Sequence, residues 1–209
     1  MRWAASQLGS PLRYLQIAQG NGWFTSKLTY DFVLPAILAT ICAAAVLYFS
    51  LPLRLYSETG LIPGVINLLN LLIAFFIAAL AAVATFDRPG LDDPLKGEPA
   101  TMKRKKKSGV IVDHILTHRQ FVCYLFGFLS FASVSLLIGL YGFRLVGPPQ
   151  WLDGDLSISL VQAELHLKPV IKAVGIWIFF FVLSQIVITT LLGIYFLCDR
   201  LQFLDDQAD

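Results

Sequence analysis

Residues 59–86, TGLIPGVINLLNLLIAFFIAALAAVATF, form the longest run of this chain without a charged side chain. Three more such runs occur at residues 32–53, 120–143 and 173–198, and the shortest of the four still holds 22 residues. An α-helix rises about 1.5 Å per residue, so even that run can cross a hydrocarbon core of roughly 30 Å. The sequence therefore predicts an all-α polytopic membrane protein with four transmembrane helices, the second of them at 61–86.

The composition excludes an ordinary soluble domain. Of the 209 residues, 56% are hydrophobic and only 14% are charged, and the mean hydropathy is +0.69, whereas soluble domains carry about 25% charged residues. Cys42, Cys123 and Cys198 all fall inside the predicted spans, so we expect no disulfide framework. The polar start of the chain lacks the apolar core of a cleaved signal peptide.

The basic residues predict how the chain crosses the membrane. With four spans, the interfacial segment 1–31, the loop 87–119 and the tail 199–209 share one side, and they carry twelve of the sixteen Lys and Arg residues. The loop 144–172 and the connection between the first two spans carry the other four. The positive-inside rule therefore predicts cytoplasmic termini, a cytoplasmic loop 87–119 and a periplasmic loop 144–172 in a bacterial inner membrane.

Short interfacial helices are expected beside the spans, because apolar residues recur there at helical spacing. One is predicted near the N-terminus and a second just before the third span. In the loop 144–172 the apolar pattern fits either a pair of strands or a surface helix, and we favour the helix. The two apolar stripes consist of Leu12, Leu15 and Ala18, and of Val110, Ile111, Ile115 and Leu116.

Small residues recur at every fourth position in the first two spans. Such strips let backbones approach closely, and in lipid this packing drives helix association more than hydrophobicity does. We therefore expect a compact bundle or a homo-oligomer. Pro35 is predicted to lie in the first turn of its helix, where a missing amide N–H costs little. The strips consist of Ala36, Thr40 and Ala44 in the first span and Ala74, Ala78 and Ala82 in the second.

Four polar side chains inside the spans, Asn67, Asn70, Gln185 and Thr189, are the candidate intramembrane site. An unpaired carboxamide facing lipid is costly, so we expect these groups to face protein or water. They would either hydrogen bond between helices or line the pore of an oligomer. No ionisable residue is predicted deep in a span, which disfavours ion-coupled transport.

A run of five cations is the strongest local feature of the loop 87–119. Beside an anionic leaflet each cation gains about 1 kcal/mol, so membrane lipids and topology explain the run. The alternative is docking of an acidic partner, or of nucleic acid held near the membrane, although direct nucleic-acid binding is not what we expect. The predicted lipid- or partner-binding residues are Lys103, Arg104, Lys105, Lys106 and Lys107.

Catalytic and metal-binding patterns are weak. His114 and His118 are four residues apart, a spacing at which two imidazoles on a helix can share a metal ion. They lack the glutamate of the His-Glu-x-x-His motif, and His166 is predicted to lie across the membrane. The predicted cytoplasmic segments contain no catalytic triad pattern, P-loop or glycine fingerprint. We therefore predict no metal, no cofactor and no enzymatic activity.

The layout of the whole chain, with the pre-membrane segment 2–31 and the basic run 103–107, resembles the membrane subunit of the bacterial Kiwa anti-phage system. The resemblance carries over no site residue. It implies a homo-oligomer that senses phage attack at the inner membrane and works with a cytoplasmic, DNA-binding effector protein. The alternatives are an oligomeric pore lined by Asn67, Asn70 and Gln185, and a structural membrane adaptor.

Overall fold

The computed structural model of the chain describes residues 7, 9–18, 27–48, 60–85, 91–94, 100–105, 111–146 and 167–200. Within these residues, four helices are long and apolar enough to cross a membrane, which confirms the all-α polytopic fold. Helix α1 consists of the π-helical turn Thr29–Val33 and the α-helix Leu34–Tyr48, and α2 covers Leu61–Thr85. Helix α3 covers His118–Val146, and α4 covers Leu167–Tyr195 with a π-helical turn, Phe196–Arg200, at its end.

The helices do not begin and end where the uncharged runs do. Helix α1 begins at Thr29, ahead of the predicted 32–53, and α4 begins at Leu167, inside the predicted loop 144–172. Charge governs which residues enter lipid, whereas backbone hydrogen bonds continue a helix past that boundary. The surface helix predicted for the outer loop falls mostly on residues 151–166, outside the described residues.

The helices pack side by side in the order α2, α3, α4, α1. Between α2 and α3, the ring centroids of Phe76 and Phe126 are 6.1 Å apart. Helices α3 and α4 approach closely at Gly193, where an added Cβ would stand 2.9 Å from Leu125 Cδ2. The missing side chain of Gly193 therefore permits this helix crossing.

Helix α1 packs on α4 through small residues, one position away from the predicted strip. The buried positions of α1 are Pro35, Ala39 and Ala43, each one residue before a member of that strip. Thr40 is instead exposed at the edge of the contact, where its Oγ1 accepts a hydrogen bond from Trp177 Nε1 at 3.1 Å. The prediction that small residues mediate packing holds for α1, with a rotated face.

The predicted strip of α2 faces away from the bundle. Ala74 and Ala78 are exposed, whereas larger residues such as Leu69, Phe76 and Val83 are buried on the side of α3. The strip therefore does not mediate packing between α2 and α3, because α3 offers large aromatic side chains that fit against large residues. The alternative, that it packs in an oligomer, stays a prediction.

The N-terminal segment forms a short 3-10 helix, Ser10–Gln16, whose apolar face differs from the prediction. Tyr14 and Ile17 are buried, whereas Leu12 is exposed. The Tyr14 ring stacks on Phe128 of α3 with their centroids 5.1 Å apart. The segment therefore packs on the helix bundle with Tyr14 and Ile17, which the predicted stripe left out, and with Leu15, which belongs to that stripe.

A β-hairpin precedes α3, where the sequence predicted an interfacial helix. Strand β1, Thr101–Lys105, pairs antiparallel with β2, Ile111–Ile115, and Lys103 lies opposite Asp113. The helix prediction is wrong because β-branched residues dominate β2, and their stiff side chains favour a strand once a pairing partner is present.

The N-terminal segment is hydrogen bonded to this hairpin. The backbone amides of Ala18 and Thr101 each donate to the other's carbonyl oxygen at 2.9 Å. Ala18 and Thr101 therefore lie on the same side of the bundle, as two crossings between them require. This side is called the hairpin side below.

Candidate functional site

Tyr14, Lys27 and Asp31 form a buried group of side chains, called the ionic cluster below. Lys27 Nζ forms a salt bridge with Asp31 Oδ2, and the two side chains are only 6% and 2% exposed. The Tyr14 hydroxyl donates to Asp31 Oδ1 at 3.1 Å. Lys27 Nζ also donates to the Tyr14 carbonyl oxygen at 2.9 Å and lies 3.8 Å from the centre of the Tyr14 ring. Each charge has several partners, as a stable buried ion pair requires.

Local structure brings these three residues together. Lys27 and Asp31 are four residues apart at the start of a helix, so their side chains lie on one face. The 3-10 helix supplies Tyr14, whose ring stacks on Phe128 and lies 6.3 Å from the Phe121 ring, both on α3. The ionic cluster therefore joins α1, the N-terminal segment and α3.

A proline in α1 explains a further contact of Asp31. In an α-helix the Asp31 carbonyl would accept from the amide four residues later, but that residue is Pro35, which has no N–H. The Gln185 carboxamide of α4 donates to this carbonyl instead, with Nε2 and the oxygen 3.2 Å apart. Pro35 is in the first turn of the α-helix Leu34–Tyr48, as predicted, but the π-helical turn Thr29–Val33 precedes that helix. The missing N–H of Pro35 therefore leaves an acceptor for another helix.

This contact locates the ionic cluster relative to the spans. Gln185 is at the middle of the fourth span, Ala173–Cys198, and Asp31 belongs to the first span, Thr29–Tyr48. Asp31 is the third residue of the first span and lies near its end, so the expectation that no ionisable residue lies deep in a span stays a prediction. The first uncharged run begins one residue after Asp31, so charge counting alone assigned it to the surface.

Burial shifts the pKa values of Lys27 and Tyr14 in the ionic cluster. It lowers the pKa of the Lys27 ammonium from its ordinary value of 10.5, while the Asp31 carboxylate opposes that shift. Burial also raises the pKa of the Tyr14 hydroxyl well above its ordinary value of 10.0, and Asp31 adds to the rise. Both directions follow from the cost of removing a charge from water.

The four intramembrane polar residues singled out by sequence lie in two separate places. Gln185 and Thr189 are buried on α4, and Gln185 makes the hydrogen bond between helices described above. Asn67 and Asn70 are exposed on the outward face of α2. Within the described part of the chain, neither of their carboxamides nor the Thr189 hydroxyl makes a hydrogen bond. The structure does not bring the two pairs together.

The basic run lies partly on the hairpin. Lys103, Arg104 and Lys105 belong to β1, and Lys106 and Lys107 are outside the described residues. Lys103 is exposed on the hairpin side. Binding of lipid or of a partner by this run stays a prediction.

The two histidines do not share a helix face. His114 lies on β2 and is exposed, whereas His118 begins α3 and is buried. The helical spacing that would let them share a metal ion is therefore absent. Among the described residues, no group of three or more His, Cys, Asp or Glu side chains could hold a metal ion.

Sequence reasoning missed the ionic cluster because it treated Lys27 as an orientation signal and Asp31 as a boundary residue. One available signal was their spacing, since oppositely charged residues four apart just before an apolar helix can pair. Tyr14 offered no comparable signal, because its position depends on how the N-terminal segment folds back.

Comparison with known proteins adds no relationship: no family model matches this chain, and no curated protein or solved structure is significantly similar to it.

Proposed function

We propose that this protein is an oligomeric sensing subunit of a bacterial anti-phage complex, which responds to disturbance of the inner membrane and passes that response to a cytoplasmic effector. One observation carries the proposal: the ionic cluster connects the helices of the bundle to the hairpin through a short, continuous set of contacts. A sensing subunit needs such a connection between its membrane part and the surface that meets its partner.

The connection begins between α1 and α4, where Gln185 Nε2 donates to the Asp31 carbonyl. It continues from the Asp31 carboxylate to the Tyr14 hydroxyl. Four residues after Tyr14, the backbone of Ala18 pairs with Thr101 at the start of β1. A displacement of α1 relative to α4 would therefore move the N-terminal segment and, through it, the basic strand.

The hairpin is the surface we assign to the effector. The basic run begins on β1, and Lys103 is exposed there. Exposed cations attract an acidic protein surface. The orientation predicted from charge places this side in the cytoplasm.

Phage attack as the stimulus comes from the layout shared with the Kiwa membrane subunit. Disturbance of the membrane is a suitable physical signal for this bundle, because α1 packs on α4 through small residues and few polar contacts. Polar contacts between helices are worth about 0.6–2 kcal/mol each in membrane proteins. A modest perturbation of the membrane can therefore shift the packing of α1 on α4.

The first test asks whether an effector binds the basic run. The full-length protein is purified in mild detergent from its native cells, and co-purifying proteins are identified by mass spectrometry. We expect a stoichiometric cytoplasmic partner that is lost when Lys103, Arg104, Lys105, Lys106 and Lys107 are all changed to Gln. Cysteine labelling at residue 155 verifies the orientation of the variant. Unchanged recovery of the partner would overturn the assignment of this surface.

The second test asks whether the contact path transmits a signal. Ala18→Pro removes the amide that donates to Thr101, whereas Ala18→Ser keeps it. We expect Ala18→Pro, and not Ala18→Ser, to abolish protection against phage while membrane insertion and partner binding persist. Equal protection by both variants would contradict transmission through the hairpin. If deletion of the whole protein leaves phage plating unchanged, the anti-phage function itself fails.

A further inference from the structure

Helix α2 carries a second packing surface on the side opposite α3. Outward positions at alternating spacings of four and three residues form a heptad pattern, which is typical of a helix that pairs with another helix. All of them are exposed, and all but one are small or short. This outward seam consists of Asn67, Leu71, Ala74, Ala78, Ala81 and Thr85.

The two faces of α2 differ in the size of their side chains. The buried face presents residues such as Leu69, Phe76 and Val83 to α3. The outward seam contains three alanines and a single large residue, Leu71, which is 70% exposed. Small side chains offer little surface for contact with lipid, but they let a second helix approach closely.

The carboxamides of Asn67 and Asn70 indicate that protein covers this face. At 1.5 Å per residue they lie about 9 and 13 Å along α2 from Leu61, and a helix of 25 residues centred on a hydrocarbon core of about 30 Å enters it after roughly 4 Å. Both carboxamides are thus at hydrocarbon depth. They are exposed and, among the described residues, without a hydrogen bond. Lipid tails cannot satisfy them, and leaving them unpaired costs free energy.

We propose that the outward seam of α2 packs in parallel against the same seam of a second copy of this chain. All copies insert in the same orientation, so identical residues meet at the same depth across a twofold axis. A carboxamide is both donor and acceptor, and Asn67 of one copy can therefore bond Asn67 of the other. An asparagine within a heptad seam also fixes register, and the small residues around Leu71 leave room for that side chain.

This inference names the contact within the oligomer of the proposed function and rests on it. The direct test is cysteine cross-linking in native membranes, with Cys42, Cys123 and Cys198 replaced by Ala. Cysteines at Ala74 and Ala78 lie on the seam. Cysteines at Leu68 and Ala84 serve as matched controls, because both positions are exposed on α2 but lie about 100° around the helix from the seam.

We expect disulfide-linked dimers at the seam positions and none at the controls. Equal cross-linking at Leu68 and Ala84 would overturn the seam. A native mass measured on the same protein separates the two proposals. An oligomer without seam cross-links contradicts the seam alone, whereas a monomer contradicts both the seam and the oligomeric part of the proposed function.

The carboxamide bond is tested by Asn67→Ala, which keeps the seam small. We expect dimerisation in detergent to weaken roughly 5- to 30-fold, the equivalent of the about 1–2 kcal/mol found for such bonds in membranes. Leu68→Ala, off the seam, should leave dimerisation unchanged. Undiminished dimerisation of Asn67→Ala, or a larger ring that conducts ions in a planar bilayer, would overturn the twofold pairing.

Discussion

Helices α1 and α2 both carry polar side chains within their apolar length, but they satisfy them differently. In α1, the carboxylate of Asp31 is bonded by Lys27 and Tyr14 of the same chain. In α2, the carboxamides of Asn67 and Asn70 are exposed and have no hydrogen bond among the described residues. Because hydrocarbon cannot supply partners, the first set is satisfied within one chain, whereas the second set lies on the face that we propose binds a second copy.

The largest effect is expected from breaking the ion pair of the ionic cluster on one side. Lys27→Met leaves the Asp31 carboxylate buried without its cation, and we expect the free energy of unfolding to fall by about 3–5 kcal/mol. Denaturant unfolding of the purified protein in detergent measures this change.

The matched control is the double variant Lys27→Met with Asp31→Leu, which removes both charges. Replacing a buried ion pair by apolar residues is often nearly neutral, so the double variant should regain most of the loss. If the double variant is as unstable as Lys27→Met alone, the loss of stability is not caused by the unpaired charge of Asp31.

A smaller loss is expected where α3 and α4 cross. Gly193→Val introduces a Cβ that would stand 2.9 Å from Leu125 Cδ2, and such overpacking costs about 1–3 kcal/mol. Gly175→Val is the control on the same helix, since no atom lies within 4 Å of a Cβ there. If the two variants have equal unfolding midpoints, the close crossing at Gly193 is disproved.

The stabilisation provided by the hydrogen bond from Gln185 to the Asp31 carbonyl should depend on Pro35, which has no N–H to bond that carbonyl. Gln185→Leu removes one hydrogen bond between helices, worth about 0.6–2 kcal/mol. In a Pro35→Ala background the new amide can bond the Asp31 carbonyl, so the same change should cost less. A double-mutant cycle of unfolding free energies measures the difference, and an equal cost in both backgrounds would refute the proposed link.

The smallest effect on stability near neutral pH is expected from titration of the ionic cluster, whose groups titrate mainly in the alkaline range. Because the pKa of Lys27 is lowered on folding, the unfolded chain binds more protons below 10.5, and stability rises with pH towards that value. Because the pKa of Tyr14 is raised, stability falls as pH rises above 10.0. The free energy of unfolding is measured for wild type and Tyr14→Phe across this alkaline range. We expect it to fall more steeply in the wild type, because Tyr14→Phe has no hydroxyl to titrate. An identical fall in Tyr14→Phe would contradict burial of its hydroxyl.

The sequence predicts the spans well because their cause is simple. A run of twenty or more residues without charge is long enough to cross a bilayer, and within hydrocarbon a helix satisfies its own backbone groups. The hairpin was not predictable in the same way. The spacing of Val110, Ile111 and Ile115 fits a helical stripe, and only pairing with the strand at Thr101 decides in favour of β structure.

The candidate sites needed three-dimensional packing. Nothing in the sequence states which face of α2 meets α3, so hydrogen bonding of Asn67 between helices and lining of a pore both stayed open. The role of Asp31 was missed because its carbonyl contacts Gln185, 154 residues later in the chain. Long-range contacts of this kind leave no local pattern.

The most direct test of the central claim is to measure unfolding of two variants as monomers, at a detergent excess that separates copies. One carries Asn67→Ala and Asn70→Ala, and the other carries Lys27→Met. If the carboxamides serve association and the ionic cluster serves the fold, the asparagine variant unfolds with the wild-type midpoint and the Lys27 variant unfolds at a much lower denaturant concentration. Equal destabilisation of the two monomers would contradict the distinction between the helices.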